Sequence, residues 1–420
     1  MDNPNISNVT DEANDKGSLK IRATTGENLY PVKNARIIIS ETGAPNSPLL
    51  ELYTDENGIS ETVSLDAPPL SYSLSPSDNQ PYSEYNIKIT APGFEERLIT
   101  GIQILSGEFG IQNIKLTPND TDNDIYNPTV IAGHTLWEYY PPKIAEEAIK
   151  PLNESGEIVL NRVVVPETII VHDGVPTDTT ATNFYVSYAD YIKNVACCEI
   201  YSTWPNEAIK ANVLAIMSFT LNRVYTEWYR NKGFNFTITS STAYDHKWTY
   251  GKTIYENVSN IVDSLIGSFL SLPNVRQPIF TQYCDGKRTT CPNWLSQWGS
   301  KALADDGLSA IEILRYYYSS NIYINTAPRI AGIPSSYPGY DLTIGSSGAP
   351  VTTIQEQLNE ISKSYPAIPK LTVDGIFGAK TQDSVKEFQR TFDMPASGIV
   401  DYPTWYKISS IYVAVSKIAD

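Results

Sequence analysis

The sequence predicts a multidomain protein with an N-terminal all-β sandwich, a central α+β domain and a C-terminal three-helix domain. At 420 residues the chain is long enough for two or three domains that each bury a core. Apolar residues alternate over about residues 17–118 and recur at helical spacing over 350–417. The predicted boundaries are 1–118 for the sandwich, 119–165 for an exposed linker, 166–330 for the central domain and 340–420 for the last domain.

The N-terminal domain is predicted from short alternating runs separated by turn residues, at 55–58 and 91–93. This pattern indicates a small antiparallel sandwich. Residues 31–35, 54–58 and 91–95 resemble the carboxypeptidase regulatory-like (transthyretin-like) module, which implies no chemistry. The runs that we expect to be strands are 19–22, 35–39, 85–89 and 111–116.

The charge is strongly acidic, with a formal net charge of −16 and a pI near 4.7. Nucleic acid is therefore excluded as a partner, because such binding depends on clustered Lys and Arg. Residues 1–130 hold 19 acidic and 8 basic side chains, a net charge of −11. This acidic third is either a solvated surface or a removable segment. We predict neither a membrane span nor a signal peptide, because no apolar run is long enough and the first residues are polar.

The central domain contains a run of apolar residues at 205–229 that predicts one long, buried helix. Residues 186–211, with Glu199 shortly before Trp204 and Pro205, resemble the SpoIID/LytB domain. A second block at 296–318 resembles the same family. The resemblance implies that Glu199 is the catalytic acid of a lytic transglycosylase.

Such a reaction needs a proton on the oxygen between N-acetylmuramic acid and N-acetylglucosamine. We expect the neighbours of Glu199 to desolvate it and raise its pKa, so that it donates the proton and then takes one from the muramic acid C6 hydroxyl. A muramidase would use the same acid with water as nucleophile, and the sequence does not decide between them. The structural alternative is a carboxylate that interacts with the dipole of the helix beginning near Pro205, as we expect for Glu207 in its first turn.

Further side chains of the central domain suit a saccharide cleft, because sugars stack on aromatic rings and bond to amides. Trp298 fits core packing equally well, and Asp245 and His246 fit a solvated loop. Many relatives carry an Arg where this chain has Met217, and Arg223 is a candidate replacement. The predicted substrate-binding residues are Tyr201, Asp245, His246, Tyr283, Gln297 and Trp298.

The four cysteines are Cys197, Cys198, Cys284 and Cys291, too few for a disulfide scaffold. Some SpoIID relatives bind zinc through Cys and His, but the spacing from Cys284 to Cys291 favours buried or bridged thiols. We predict no cofactor and no metal.

The C-terminal domain resembles the three-helix peptidoglycan-binding module over about 70 residues. The resemblance, and not the chemistry of the residues, implies a wall ligand, with a spacer role as the alternative. A turn at Asp374 and Gly375 positions the second helix, and much of the pattern is structural. The motif residues are Asp374, Gly375, Phe377, Phe388 and Trp405.

The order of sandwich, SpoIID-like domain and wall module is similar to that of clostridial spore cortex-lytic enzymes. This resemblance implies a precursor that acts on spore cortex peptidoglycan during germination, located in the spore and activated by a subtilisin-like protease. We expect the cut between about residues 120 and 165, where Pro and polar residues are dense. The alternatives are a phage-type endolysin and a wall-binding protein that enhances an amidase.

Overall fold

The computed structural model describes residues 15–26, 29–119, 128–150, 160, 162–335 and 337–416. Among them, no helix has the length and apolar character needed to cross a lipid bilayer. The elements are β1 (Asp15–Thr25), β2 (Tyr30–Pro31), β3 (Arg36–Glu41), β4 (Pro48–Tyr53), β5 (Val63–Ala67), α1 (Ser71–Leu74), β6 (Tyr82–Thr90), β7 (Arg97–Leu105), β8 (Phe109–Leu116), β9 (Thr129–Val130), β10 (Val164–Val165), β11 (Thr168–His172), β12 (Asn183–Ser187), α2 (Tyr188–Glu199), α3 (Asn206–Tyr225), β13 (Ile238–Thr239), β14 (Ile254–Tyr255), α4 (Glu256–Leu265), β15 (Ser268–Ser271), β16 (Tyr283–Cys284), β17 (Leu295–Ser296), α5 (Gln297–Asp305), α6 (Ala310–Tyr317), β18 (Tyr323–Thr326), β19 (Arg329–Ile330), α7 (Ala349–Ser364), α8 (Ala379–Thr391) and α9 (Tyr402–Ser416).

The N-terminal strands form two sheets that share one apolar core, and all four strand predictions are confirmed. One sheet has the order β14-β8-β1-β2 with β5 also on β1, and the other has the order β4-β3-β6-β7-β9. The prediction of a purely antiparallel sandwich is wrong, because β1 runs parallel to β8 and β7 runs parallel to β9. These pairs join strands distant in sequence, which no tight hairpin constrains to be antiparallel.

The sandwich and the central domain are joined through a shared sheet. Strand β14 of the central domain pairs with β8, and the Tyr255 hydroxyl donates to the Gln103 carbonyl at 3.0 Å. The Lys252 ammonium, also from the central domain, donates to the side-chain oxygen of Gln103. The sandwich is therefore hydrogen-bonded directly to the central domain and is not joined to it by a linker alone.

Helix α3 is the buried centre of the middle domain, as predicted. Its 20 residues are apolar on almost every face, and α2, α4, α5, α6 and β15 pack around it. The helix ends at Tyr225, four residues before the predicted end, and Glu227 beyond it has a positive φ of 46°.

The C-terminal domain is built from α7, α8 and α9 around its own apolar core, which confirms the three-helix prediction. A charged clasp joins it to strand β1: Lys20 and Arg22 both pair with the buried Asp393, Arg22 at 2.7 Å. The Tyr365 hydroxyl donates to the Leu29 carbonyl at 2.7 Å, on the chain just after β1. The first domain therefore contacts the last as well as the middle one.

Residues 128–150, which we call the strap, lie where the sequence predicts an exposed linker. Apart from the short strand β9 the strap is irregular, and about half of its side chains are exposed. It is nevertheless fixed to the central domain, because His134, Leu136 and Lys150 are buried there. The strap is thus a partly exposed connecting segment that packs against the central domain. Of the predicted cleavage region, residues 120–127, 151–159 and 161 lie outside the described residues.

Candidate functional site

Glu199 is the last residue of α2 and is only 7% exposed. One carboxylate oxygen accepts the main-chain N–H of Lys247 at 2.7 Å, and the other accepts Nε2 of Gln297 at 2.9 Å. The same Gln297 nitrogen also donates to the Glu199 carbonyl at 2.8 Å. Gln297 therefore holds the acidic side chain in place, and its amide nitrogen is occupied by Glu199.

The alternative role for Glu199, at the N-terminus of the following helix, does not fit these contacts. Its carboxylate bonds to the loop at Lys247 and to the first residue of α5, and neither belongs to α3. Glu207 does lie in the first turn of α3. It pairs with Lys210 at 2.7 Å and accepts the main-chain N–H of Ala310 at 2.8 Å, at the start of α6.

His246 and Tyr283 are buried beside Glu199 and stack with ring centroids 5.7 Å apart. Burial lowers the pKa of His246 well below its usual value, so the ring is neutral, and its Nδ1 lies 3.0 Å from the Tyr191 hydroxyl. Burial, and then the charge of Glu199, raise the pKa of Tyr283. Among the described residues, His246 Nε2 has no hydrogen-bond partner, whereas the Tyr283 hydroxyl interacts with the Glu199 carboxylate. One buried polar atom near the acid thus remains able to bond to a ligand.

Asp245 is fully buried and holds its neighbours in position. One oxygen accepts Nε of Arg223 at 2.8 Å, and the other accepts the Tyr229 hydroxyl at 2.6 Å. Thr239 donates to that second oxygen through both its main-chain N–H and its hydroxyl. Asp245 therefore orients Arg223, Tyr229 and Thr239 in this structure, and its contact with sugar stays a prediction.

Tyr201 and Trp298 belong to an aromatic cluster completed by Trp204. The strap covers it: the Leu136 main-chain N–H donates to the Tyr201 hydroxyl at 2.9 Å, and Nε1 of Trp298 donates to the Leu136 carbonyl at 3.1 Å. In this arrangement the rings are core residues, as the packing alternative for Trp298 expects.

The strap also places a cation at the site, which the sequence analysis missed. Lys143 Nζ donates to the Asp245 carbonyl at 2.8 Å and lies 4.4 Å from the centre of the Tyr283 ring. Burial lowers the pKa of Lys143, and the nearby charges of Glu199 and Asp245 oppose this effect. The available signal was local: a Tyr-Tyr-Pro-Pro-Lys sequence in a polar segment brings large side chains that need a surface to pack on.

The strap makes a second contact next to Glu199, at the main chain of the residue before it. His134 Nε2 is 2.5 Å from the carbonyl of Cys198, the residue before Glu199, and the Tyr140 hydroxyl is 2.7 Å from His134 Nδ1. Burial lowers the pKa of His134 to about 3, so this ring is neutral too. The strap therefore contacts the site on both sides of Glu199.

An open cavity of about 560 Å³ adjoins Lys247, whose main chain binds Glu199. Phe184, Trp248 and Tyr250 form a group of aromatic rings on its wall, with centroids 4.9 to 6.4 Å apart. The side chains of Lys247 and Arg97 also line it. Aromatic faces next to polar groups suit a saccharide.

Cys284 and Cys291 form a disulfide, while Cys197 and Cys198 are buried free thiols. This agrees with the expectation of bridged or buried thiols. Within the parts of the chain that the structure describes, no group of three or more His, Cys, Asp or Glu side chains has a metal-binding arrangement.

The predicted residues of the C-terminal domain are structural. Phe377, Phe388 and Trp405 are buried in its core. The Asp374 carboxylate accepts hydrogen bonds from Gln355 and from the main chain of Ile376, which forms the turn before α8. Gly375 has a φ of 69°, which favours glycine.

Comparison with protein families matches residues 347–408 to the model described as a putative peptidoglycan binding domain. Proteins of curated function gave no match. Among solved structures, the SleB N-terminal domain is 25% identical over 18% of this chain and 99% of that chain, with a TM-score of 0.16. The Bacillus anthracis TIE protein is 18% identical over 25% of this chain and 17% of that chain, with a TM-score of 0.18. The minor pilin GBS52 of Streptococcus agalactiae is 14% identical over 27% of this chain and 49% of that chain, with a TM-score of 0.19. TM-scores this low carry no argument, so the conclusion rests on the family match. The chain carries a peptidoglycan-binding domain and is a cell-wall-related protein.

Proposed function

We propose that this protein is the precursor of a lytic transglycosylase that cleaves peptidoglycan glycan strands between N-acetylmuramic acid and N-acetylglucosamine. The observation that carries the proposal is the setting of Glu199. It is a buried carboxylate fixed by two N–H donors, close to the Tyr283 hydroxyl and to His246 Nε2, which has no partner among the described residues, in a chain that also has a peptidoglycan-binding domain.

In the proposed reaction, protonated Glu199 transfers its proton to the glycosidic oxygen as the C1–O bond breaks. The resulting carboxylate then accepts the proton of the muramic acid C6 hydroxyl, whose oxygen bonds to C1 and gives a 1,6-anhydro sugar. One carboxyl group performs both steps. A second carboxylate near the site, that of Asp245, is hydrogen-bonded to Arg223, Tyr229 and Thr239. Because these bonds hold it away from a role as a base for water, the arrangement supports internal attack by the C6 hydroxyl.

The surroundings support a glycan substrate. The cavity beside Lys247 presents the rings of Phe184, Trp248 and Tyr250, on which sugar rings can stack. The wall-binding domain belongs to the same chain as the site. When it binds the wall, it therefore raises the local concentration of glycan at the site.

The strap supports the precursor state. It covers the aromatic cluster at Leu136 and places Lys143 near Glu199. The chain as a whole resembles spore cortex-lytic precursors of the SleC type, which implies cortex peptidoglycan as substrate, a location in the spore and a subtilisin-like protease as activator. We place the cut between residues 120 and 165, and within that region 120–127, 151–159 and 161 lie outside the described residues.

The test compares full-length wild type with Glu199→Gln, each before and after mild subtilisin treatment, on purified cortex peptidoglycan. Glu207→Gln is the matched control, since Glu207 is a helix-terminal carboxylate of the same domain. We expect Glu199→Gln to lower the treated enzyme's rate about 10²- to 10⁴-fold, because it removes the transferable proton. The control should retain the rate of wild type, and untreated wild type should be nearly inactive.

Mass spectrometry of the released fragments separates the alternatives. Anhydro-muramic ends support the transglycosylase, and reducing muramic ends indicate a muramidase. No fragments from any sample indicate a wall-binding or amidase-enhancing protein. Cleavage by Glu199→Gln at the wild-type rate would overturn the proposal, and equal activity with and without protease would overturn the precursor state.

A further inference from the structure

Arg223 lies at the end of α3 and is only 1% exposed, yet half of its hydrogen bonds go to the strap. Its Nη1 and Nη2 donate to the two carboxylate oxygens of Glu146 at 2.9 and 2.7 Å, in a bidentate pair. Charge-assisted bidentate pairs are among the strongest hydrogen-bonded contacts in proteins and fix the orientation of the carboxylate. Glu146 therefore occupies a geometrically defined carboxylate position.

The guanidinium is held in place without Glu146. Its Nε donates to Asp245 at 2.8 Å, and Nη2 also lies 3.2 Å from the Tyr244 carbonyl. Four aromatic rings surround it, with centroids 4.4 to 5.5 Å from Cζ; they belong to Phe219, Trp228, Tyr229 and Phe280. All of these contacts come from the central domain. The edge of the Arg223 guanidinium that faces the strap is thus oriented by the central domain itself.

The strap supplies the carboxylate and a second cation. Lys150 Nζ pairs with Glu146 at 2.6 Å and lies 3.8 Å from the centre of the Phe280 ring. Arg223 and Lys150 lower the pKa of Glu146 against the opposing effect of burial. Without Glu146, Nη1 of Arg223 would lose its partner and Nη2 would keep only the Tyr244 carbonyl. A buried guanidinium in that state is costly unless another anion binds.

We propose that the outer edge of Arg223 is a carboxylate-binding subsite for the stem peptide of peptidoglycan, and that Glu146 fills it in the precursor. This inference rests on the proposed function. The chemistry favours the peptide over the sugar, because the sugar rings carry hydroxyl and acetamido groups and the lactyl carboxyl of muramic acid is an amide wherever a stem peptide is attached. The stem peptide itself carries free carboxylates.

The strap carries charges of both signs that suit this role. Lys143 places an ammonium group near Glu199, where positive charge develops at the sugar in the transition state. Glu146, three residues later, places a carboxylate on Arg223. Three residues of extended chain span at most about 10 Å, so the backbone positions of Lys143 and Glu146 lie close together. The strap thus places the Lys143 ammonium group near Glu199 and the Glu146 carboxylate on the outer edge of Arg223.

The first experiment asks whether the subsite binds a free carboxylate. Glu146→Ala in the full chain removes a fragment of the size of acetate. We expect acetate, but not acetamide, to raise the melting temperature of this variant, and neither to raise that of wild type or of Glu207→Ala. Equal effects of acetate and acetamide on Glu146→Ala would overturn the subsite. If Glu146→Ala does not fold, its refolding yield with acetate against acetamide gives the same comparison.

The second experiment identifies the ligand. The full chain with Lys143→Ala, Glu146→Ala and Glu199→Gln is titrated with a stem tetrapeptide and with the same peptide amidated at its carboxyl groups. We expect the free peptide to bind at least about tenfold more tightly, as for a charge-assisted pair. Adding Arg223→Lys, which keeps the charge and loses the bidentate geometry, should reduce the preference below about threefold.

The possible results separate the two proposals. No preference between the peptides, including no measurable binding of either, overturns the peptide assignment, and an acetate effect alone then defines a small-anion site only. A preference that persists with Arg223→Lys overturns the assignment to Arg223. Neither titration depends on catalysis. Cleavage of cortex without a carboxylate preference therefore rejects the subsite alone, whereas a preference without cleavage rejects the proposed reaction and leaves a peptide-binding site.

Discussion

Two segments of similar composition, the strap and residues 331–348, behave differently in the structure. Both are irregular and rich in Pro or in small polar residues, a composition typical of connecting loops. The second segment contacts the domain that follows it: Leu342 pairs by its main chain with Val400, and the Ser335 carbonyl accepts Nε1 of Trp405. The strap instead directs side chains into a domain whose core residues come from far along the chain.

The difference lies in what each segment buries. The second segment buries Leu342 and satisfies its main chain locally. The strap brings Lys143, Glu146 and Lys150 to the central domain. There Glu146 pairs with both Arg223 and Lys150, and Lys143 donates to the Asp245 carbonyl. Composition predicts an extended backbone for both segments, but the charges that need partners decide where the strap binds.

The largest effect on stability is expected from removing Arg223, whose ion pairs hold the strap on the central domain. Arg223→Met should lower the free energy of unfolding by about 3–5 kcal/mol, because it leaves buried Asp245 and Glu146 without their shared cation. Urea unfolding of the full chain at pH 7 measures this loss. Lys210→Met is the control, because its ion pair is largely exposed and should contribute less than about 1 kcal/mol. Equal losses in both variants would contradict the anchoring role.

The next largest effect is expected from shortening Leu342, the buried apolar side chain that holds residues 331–348 on the C-terminal domain. Leu342→Ala should cost about 2–4 kcal/mol, because it leaves a cavity in the core of the C-terminal domain. The loss should appear in the unfolding of that domain, followed by Trp405 fluorescence in a variant that lacks the other tryptophans. Ile344→Ala, at a position 56% exposed, should change stability by less than about 0.5 kcal/mol. A loss as large as that of Leu342→Ala at this position would argue against local anchoring.

The smallest effect concerns pH and the strap. The pKa of His134 is about 3 in the folded protein and 6.5 in its unperturbed state, so the unfolded chain binds the extra proton between these values. Stability from this group is therefore complete above pH 6.5 and falls by about 1.4 kcal/mol per pH unit as the pH decreases toward 3. Urea unfolding at pH 6.5 and 5.5 should show a difference about 1 kcal/mol larger in wild type than in His134→Gln. The same pH dependence in both proteins would show that His134 is not the group responsible.

The elements of the fold could be predicted where one local pattern determined them. Alternation identified the strands of the sandwich, and apolar residues on every face identified α3 as central. The parallel pairing of β1 with β8 could not be predicted, because it depends on how two distant strands meet and not on the pattern of either. The end of α3 was also missed, because its last turn is decided by the left-handed residue Glu227.

The candidate site was predicted in part. Sequence blocks about 100 residues apart, at Glu199 and Gln297, are brought into hydrogen-bond contact. Asp245 was identified as a site residue, but its role was not, since that depends on Tyr229 and Thr239 around it. The strap contacts were missed because each joins residues 60 or more positions apart, such as His134 with Cys198, and no periodicity signals such a meeting.

The clasp between strand β1 and Asp393 bears on the proposed activation, because a cut in the backbone would not by itself release the N-terminal domain. Severing the backbone within the strap leaves the Lys20 and Arg22 ion pairs, and the pairing of β14 with β8, unchanged. A cleaved protein is then a noncovalent complex whose N-terminal fragment dissociates at a rate of its own. Salt, dilution and wall ligands that compete for the last domain would set the delay between proteolysis and full exposure of the site.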